Sequence, residues 1–297
     1  MLLKEFRNHF NKQLSEVFPE TEIDTFFFLL IEKELDLQRI DLALNHELSI
    51  PDEKFKHLYN ALTRLKNQEP IQYILGETEF FGLPFKVNKN TLIPRPETEE
   101  LVAWIISDFI NKDQISILEI GTGTGCIPVS LAKNLPNATI TSIDISSEAL
   151  KIAKQNAEIN EVNTNFIECD VLNIENLNFI ANNKITSSKT PRNDIQFDII
   201  VSNPPYVREL EKEEIQPNVL ENEPHLALFV DDLNPLIFYK KIADLAKKHL
   251  TKNGVLYFEI NQYLGEETLE MLSEKGFSSE LKKDIFDNDR MTKSLLQ

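Results

Sequence analysis

The tetrapeptide Asn203-Pro204-Pro205-Tyr206 stands directly after the apolar run Phe197-Asp198-Ile199-Ile200-Val201-Ser202. Two consecutive prolines withhold two backbone donors and fix φ, so these residues are poor material for a helix or an inner strand. Their use must lie elsewhere. They offer a rigid set of acceptors: the Asn203 amide oxygen and the Pro204 carbonyl can take both N–H bonds of one planar NH2 group, with the Tyr206 ring against its face. A substrate whose nucleophile is an amide or exocyclic amino nitrogen suits such an array.

That nitrogen needs an electrophile, and a second stretch provides a place for one. Ile115-Ser116-Ile117-Leu118-Glu119-Ile120 reads as a buried strand, after which Gly121-Thr122-Gly123-Thr124-Gly125 turns into the apolar-periodic helix that begins at Cys126. Glycines at this point let backbone approach a ligand at a helix N-terminus. Position 126 is Cys where a dinucleotide fingerprint has its last glycine, which argues against a nicotinamide cofactor.

The next strand, Thr139-Ile140-Thr141-Ser142-Ile143-Asp144, ends in a carboxylate about twenty residues beyond the glycines, the spacing at which an acidic side chain accepts from ribose hydroxyls. Asn165-Phe166-Ile167-Glu168-Cys169 ends the same way at Asp170, placed to accept from the adenine amino group of that ligand. A helix-capping role competes for Asp144, because Ser146, Ser147 and Glu148 follow it. Glycine loop, Asp144, Asp170 and Asn203 in this order predict neighbouring parallel strands whose carboxyl ends form one crevice.

With these marks in place, the chain resembles the peptide chain release factor glutamine N5-methyltransferases, the HemK-type class I methyltransferases, from about Gln68 to the C-terminus. The resemblance rests on Leu92-Ile93-Pro94-Arg95-Pro96-Glu97-Thr98-Glu99 with Glu79-Phe80-Phe81-Gly82-Leu83-Pro84-Phe85 before it, on Glu119 to Gly125, on Asp144 to Leu150, and on Ser202 to Tyr206. It implies an α/β fold, a Rossmann-like and mostly parallel sheet with helices on both faces, using S-adenosyl-L-methionine. It implies methylation of the side-chain nitrogen of the glutamine in a release factor's Gly-Gly-Gln motif, modulating translation termination. Glu119, Gly121, Thr122, Gly123, Thr124, Gly125, Asp144, Asp170, Val171 and Asn203 would hold the cofactor. Asn203, Pro204 and Tyr206 would act in catalysis, and these with Pro205 would hold the substrate. Asn-Pro-Pro-Tyr alone is shared with adenine N6-methyltransferases of DNA and RNA, which act on a flipped-out base, so that activity is the alternative.

Composition weighs against the alternative. Lys and Arg total 31 against 48 Asp and Glu, a formal charge of -17, and so acidic a surface repels phosphate backbones where no dense basic patch offsets it. A protein partner is expected, without direct nucleic-acid or membrane contact, and the chain is expected to be a monomer. Cys126 and Cys169 lie in no metal-ligand spacing and read as inert buried thiols. His9, His46, His57, His225 and His249 pair with no nucleophile or metal set. The longest apolar run is too short to span a bilayer, and early charges at Lys4, Glu5 and Arg7 disfavour a secretory leader, so a cytoplasmic location is expected.

The elements that must position these residues divide the chain in three. Residues 1–75 show helical periodicity punctuated by Pro19, Pro51 and Pro70, which predicts a small helical bundle of four or five short helices for substrate docking. Residues 76–91 alternate aromatics with turn formers, which predicts a linking β-hairpin. Residues 92–297 alternate strands and helices and form the catalytic domain. Expected helices span 97–111, 126–135, 147–159, 235–250 and 266–275, with a strand at 254–260. The polar stretch Asn173 to Asp194 reads as a mobile surface insertion.

Overall fold

In the computed structural model, which describes residues 1–44, 48–180 and 195–297, every strand expected between Ile115 and Ile260 enters one seven-stranded sheet. Its strands are β1 (Ile115–Ile120), β2 (Ala138–Asp144), β3 (Asn165–Glu168), β4 (Phe197–Ser202), β5 (Leu250–Glu259), β6 (Phe277–Lys283) and β7 (Asp289–Leu296). In space they run β3-β2-β1-β4-β5-β7-β6. The first five are mutually parallel, and β7 and β6 add to that edge antiparallel. The chain leaves β1 toward β2 and β3, then returns to place β4 on its other side. That reversal is the switch point at which open α/β sheets bind ligands.

The strands read as continuous apolar runs because both faces are covered. Ile117, Ile199, Val201, Val255 and Tyr257 pack in one cluster with the helices Pro96–Phe109 and Cys126–Asn134. Their chain neighbours Leu118, Ile200, Leu256 and Phe258 point the other way, into a cluster with the helices Ile237–His249 and Gly265–Glu274. Helix Ser147–Ile159 begins as expected at a cap, the Ser146 hydroxyl accepting from Ala149 N–H at 3.1 Å.

Two segments are packed more closely than their sequence suggests. The hairpin, Glu77–Phe80 with Leu83–Lys86, is more than a linker: Phe80 and Phe85 are buried in the cluster around Leu101 and Ile105. Asn156 fixes it through both amide atoms, accepting from Lys86 N–H at 2.7 Å and donating to Lys86 O at 3.0 Å. Of the stretch Asn173 to Asp194, residues 181–194 lie outside the described residues, but Leu177 and Ile180 are fully buried before them. Leu177 N–H donates to His249 Nε2 at 3.0 Å, so the described part of the stretch is packed at residues 177–180.

The described residues divide into two units, Met1–Glu77 with Gln216–Asn222, and Thr78–Ile215 with Glu223–Gln297. Among the described residues the first holds five helices before Glu77, Leu3–Leu14, Glu20–Leu35, Arg39–Leu44, Asp52–Lys66 and Ile71–Leu75, and the short helix Pro217–Asn222. Pro19, Pro51 and Pro70 each stand immediately before a helix, where a missing N–H costs nothing. Phe6, Phe10, Phe27 and Leu58 form its centre, with Phe10 and Phe27 in edge contact at 5.5 Å. Among the described residues no helix is long and apolar enough to cross a membrane.

Candidate functional site

Register brings the separated motifs together. Ile120 pairs with Ile143 on one side and with Ser202 on the other, and Asp144 pairs with Glu168. The chain therefore emerges as the glycine loop, Asp144, Asp170 and Asn203 from one rim. A Cβ built on Gly121 would lie 3.5 Å from the Asn203 carbonyl oxygen, so the two loops touch. Between them opens a cavity of about 390 Å³. Gly121, Thr122, Gly123, Thr124, Asp144, Asp170, Val171, Asn203, Pro204 and Pro205 all line it. Glu119, Gly125 and Tyr206 stand behind the lining instead.

Two of the glycines act for different reasons. Gly123 has φ 52° with open space where a Cβ would be, so it serves the left-handed backbone and leaves the cavity clear. Gly125, at φ 80°, has the Ala153 Cα only 3.2 Å from such a Cβ, so it permits close packing of the helix Ser147–Ile159. Asp144 fixes the loop: Oδ2 accepts from Gly123 N–H at 2.9 Å and Oδ1 from Ser146 N–H at 2.8 Å. The helix cap is thus Ser146, which leaves Asp144 as anchor of the loop and wall of the cavity. Asp170 caps a short turn, accepting from Leu172 N–H at 2.9 Å and from the Asn173 amide at 2.6 Å, and also faces the cavity.

Glu119 lies beneath the loop, fully buried. Ser142 Oγ donates to its Oε2, and the Thr122 hydroxyl shares a 2.5 Å hydrogen bond with Ser142. Its Oε1 is buried with no hydrogen-bond partner among the described residues. Burial pushes the Glu119 carboxyl up to about 8, with the nearby Asp144 charge adding to the shift. A carboxyl raised in the folded state contributes stability that is complete below its unfolded pKa and is lost as pH rises through the folded one. Glu119→Gln is therefore expected to lose less melting temperature than the wild type between about pH 5 and about pH 9. Thermal melts across that range check this, and parallel curves for the two proteins would refute it.

The Asn-Pro-Pro-Tyr loop is held from behind by residues that its own sequence does not announce. Asn203 Nδ2 donates to Thr98 Oγ1 at 3.3 Å, and Thr98 donates to Glu259 Oε2 at 2.7 Å. Tyr206 OH donates to the other Glu259 oxygen at 3.2 Å, and Asn261 Nδ2 donates to the Tyr206 carbonyl at 2.9 Å. Burial raises the Glu259 carboxyl, while these hydroxyls and the Arg290 charge oppose the shift. Arg95 lines the cavity and is pinned at 2.6 Å by Glu223, whose second oxygen accepts from Ile93 N–H at 3.1 Å. Glu99 accepts from Phe81 N–H at 2.7 Å, tying the helix to the hairpin.

Thr98, Glu223 and Glu259 were not singled out as site residues by sequence. One signal existed: Glu259 ends the strand run Val255-Leu256-Tyr257-Phe258, and a carboxylate there is costly unless it is used. Both cysteines border the cavity. Burial pushes the Cys126 thiol up to about 12 and raises Cys169 as well, which keeps them protonated and unreactive.

A family described as "Methyltransferase domain" matches residues 111–293, and one described as "PrmC N-terminal domain" matches residues 5–76. The chain is 53% identical over 297 residues to the release factor glutamine methyltransferase of Flavobacterium psychrophilum, covering 99% of each protein. It is 40% identical over 284 residues to that of Bacteroides thetaiotaomicron, covering 95% of this chain and 96% of that one. The solved hMettl16 catalytic domain, in complex with the MAT2A 3′UTR hairpin 6, shares the fold at a TM-score of 0.52 and 16% identity, over 85% of each chain. From the identity with these relatives along nearly its full length, the chain belongs to the release factor glutamine methyltransferase family.

Proposed function

We infer that this protein methylates the side-chain amide nitrogen of a glutamine, that of the Gly-Gly-Gln motif of a peptide chain release factor, with S-adenosyl-L-methionine as donor. The observation that carries the reading is the cavity in which the glycine loop and the Asn203 acceptor array meet. Its volume lies within the range of small-molecule sites. Asp144 and Asp170 offer carboxylates for hydroxyl and amino groups, Ile143, Ile145, Val171 and Leu172 offer apolar wall, and Gly123 keeps the wall thin. These features fit a nucleoside-bearing cation.

The chemistry the donor supplies is an electrophilic methyl, whose carbon–sulfur bond breaks as the nitrogen–carbon bond forms. An amide nitrogen is a weak nucleophile, its lone pair being delocalised into the carbonyl. The chain's residues must therefore act by position: the Asn203 amide oxygen and the Pro204 carbonyl accept the two N–H bonds and favour positive charge as it grows on nitrogen. Pro205 stiffens the loop, and Tyr206 braces it through Glu259. The proton leaves the nitrogen after transfer, so no dedicated base is needed.

Mass spectrometry of release factors from cells with and without the protein tests the reading. One methyl on the Gly-Gly-Gln glutamine should be present only with it; an unmethylated glutamine in both, with loss of N6-methyladenine, would transfer the assignment to the adenine alternative. The first unit, none of whose described residues lines the cavity, is assigned to recognition of the whole release factor, in the cytoplasm where that substrate works. Deleting residues 1–75 should leave cofactor affinity nearly intact and reduce methylation of a whole release factor far more than that of a short glutamine peptide. Equal losses on both substrates would remove the docking role.

A further inference from the structure

Asn203 faces a choice that its own motif does not settle. The amide has one oxygen and one NH2 group of nearly equal shape, and rotation by half a turn would present donors where the substrate nitrogen needs an acceptor. Proline neighbours fix the backbone but leave that torsion free. The hydroxyl of Thr98 decides it. Thr98 is only 2% exposed and lies on the helix Pro96–Phe109, far from Asn203 in sequence. Its single proton goes to Glu259 Oε2 at 2.7 Å, which leaves oxygen lone pairs for Asn203. A hydroxyl so committed can only accept, so the atom it meets at 3.3 Å must be Nδ2. The amide oxygen is left for the cavity.

Glu259 is what commits the hydroxyl. It is 1% exposed, its other oxygen accepts from Tyr206 OH, and the charge of Arg290 acts on it. Its carbonyl oxygen is held in turn by Tyr239 OH at 3.2 Å. The carboxylate thus receives hydroxyl protons from two directions. Asn261, two residues on, holds the Tyr206 carbonyl, so the tip of β5 and the residues after it fix the Tyr206 end of the loop directly and the Asn203 end through Thr98.

We propose that Thr98, oriented by Glu259, is the positioning residue that sets the amide of Asn203 with its oxygen toward the substrate nitrogen. This rests on the assigned glutamine methylation but adds a residue outside the motif, on a helix bordering the same cavity, which acts through its hydrogen bond to Asn203. It also gives a physical reason for Thr98 within Ile-Pro-Arg-Pro-Glu-Thr-Glu.

The test is a double-mutant cycle. Thr98→Val keeps the shape and removes the hydroxyl; kcat on a short glutamine peptide should fall about tenfold, the scale of one lost directed hydrogen bond. Cofactor affinity by calorimetry should stay within about twofold, since no cofactor contact is assigned to the hydroxyl. Thr98→Ser, which restores the hydroxyl, should recover most of kcat. In an Asn203→Ala background Thr98→Val should cost almost nothing further, because the group it positions is gone. A fall equal to that in the wild-type background, wild-type kcat in Thr98→Val, or a Thr98→Ser variant as slow as Thr98→Val would each overturn the proposal. Where Thr98→Val fails to fold by thermal melt, Thr98→Ala carries the same expectation. Failure of the underlying reading is distinguishable, because the unmutated protein would then leave the peptide glutamine unmethylated.

Discussion

Asn203→Ala should lower kcat for glutamine methylation by about a hundredfold or more, the scale of a lost transition-state hydrogen-bonding group, and should change cofactor affinity far less, since Asn203 is only one of the residues around the cofactor. The acceptor it removes matters most as the nitrogen becomes positive, so the loss belongs in kcat. The tertiary structure sharpens the companion variant. Asn203→Asp keeps an acceptor toward the cavity but has no N–H to give Thr98, whose own proton is engaged by Glu259. The expected order of activity is wild type, then Asp, then Ala. Single-turnover kinetics on a release-factor substrate reads the chemical step directly. A near wild-type rate in Asn203→Ala would show that the acceptor array is not the site of chemistry.

Asp144→Ala should weaken S-adenosylmethionine binding by about 1–3 kcal/mol, roughly five- to 150-fold, the cost expected for losing a buried hydrogen-bonding group. Two effects point the same way. The variant removes the carboxylate from the cavity wall, and it releases Gly123 and Ser146, whose N–H groups it now fixes. Asp144→Asn separates them, since the amide oxygen can still anchor one N–H while the charge is gone; it should fall between wild type and Ala. Titration calorimetry with folding verified by circular dichroism checks the series. Unchanged affinity in a folded Asp144→Ala would remove the residue from the cofactor site, and NAD binding of comparable strength would overturn the choice of cofactor.

Much of the architecture was legible because its signals are local. Ile115 to Ile120 and Phe197 to Ser202 are apolar without interruption, which marks strands covered on both faces, and the sheet places them side by side. Pro19, Pro51 and Pro70 punctuate the first unit because a residue without an N–H fits only the start of a helix. The C-terminal antiparallel pair carries no such signal. Phe277-Ser278-Ser279-Glu280-Leu281-Lys282-Lys283 is mostly polar and lies at the sheet edge, where only one partner and part of one face call for apolar residues. Leu177 and Ile180 are hidden for a related reason, since Leu172, Ile174, Leu177, Phe179 and Ile180 are interleaved with Asn and Glu in a run too short for one period to stand out.

By itself the sequence determined which groups are available: the acceptors of Asn203 and Pro204, the glycines that open a loop, and carboxylates at the ends of strands. Each is a property of a residue and its immediate neighbours, so each is written where it stands. Only the tertiary structure decided how those groups are aimed. That Asn203 turns its NH2 to Thr98, that Thr98 gives its proton to Glu259, and that Asp144 holds Gly123 are contacts between separate elements. They depend on sheet register and helix packing, and a hydrogen bond is set by distance and angle in space, which spacing along the chain does not encode.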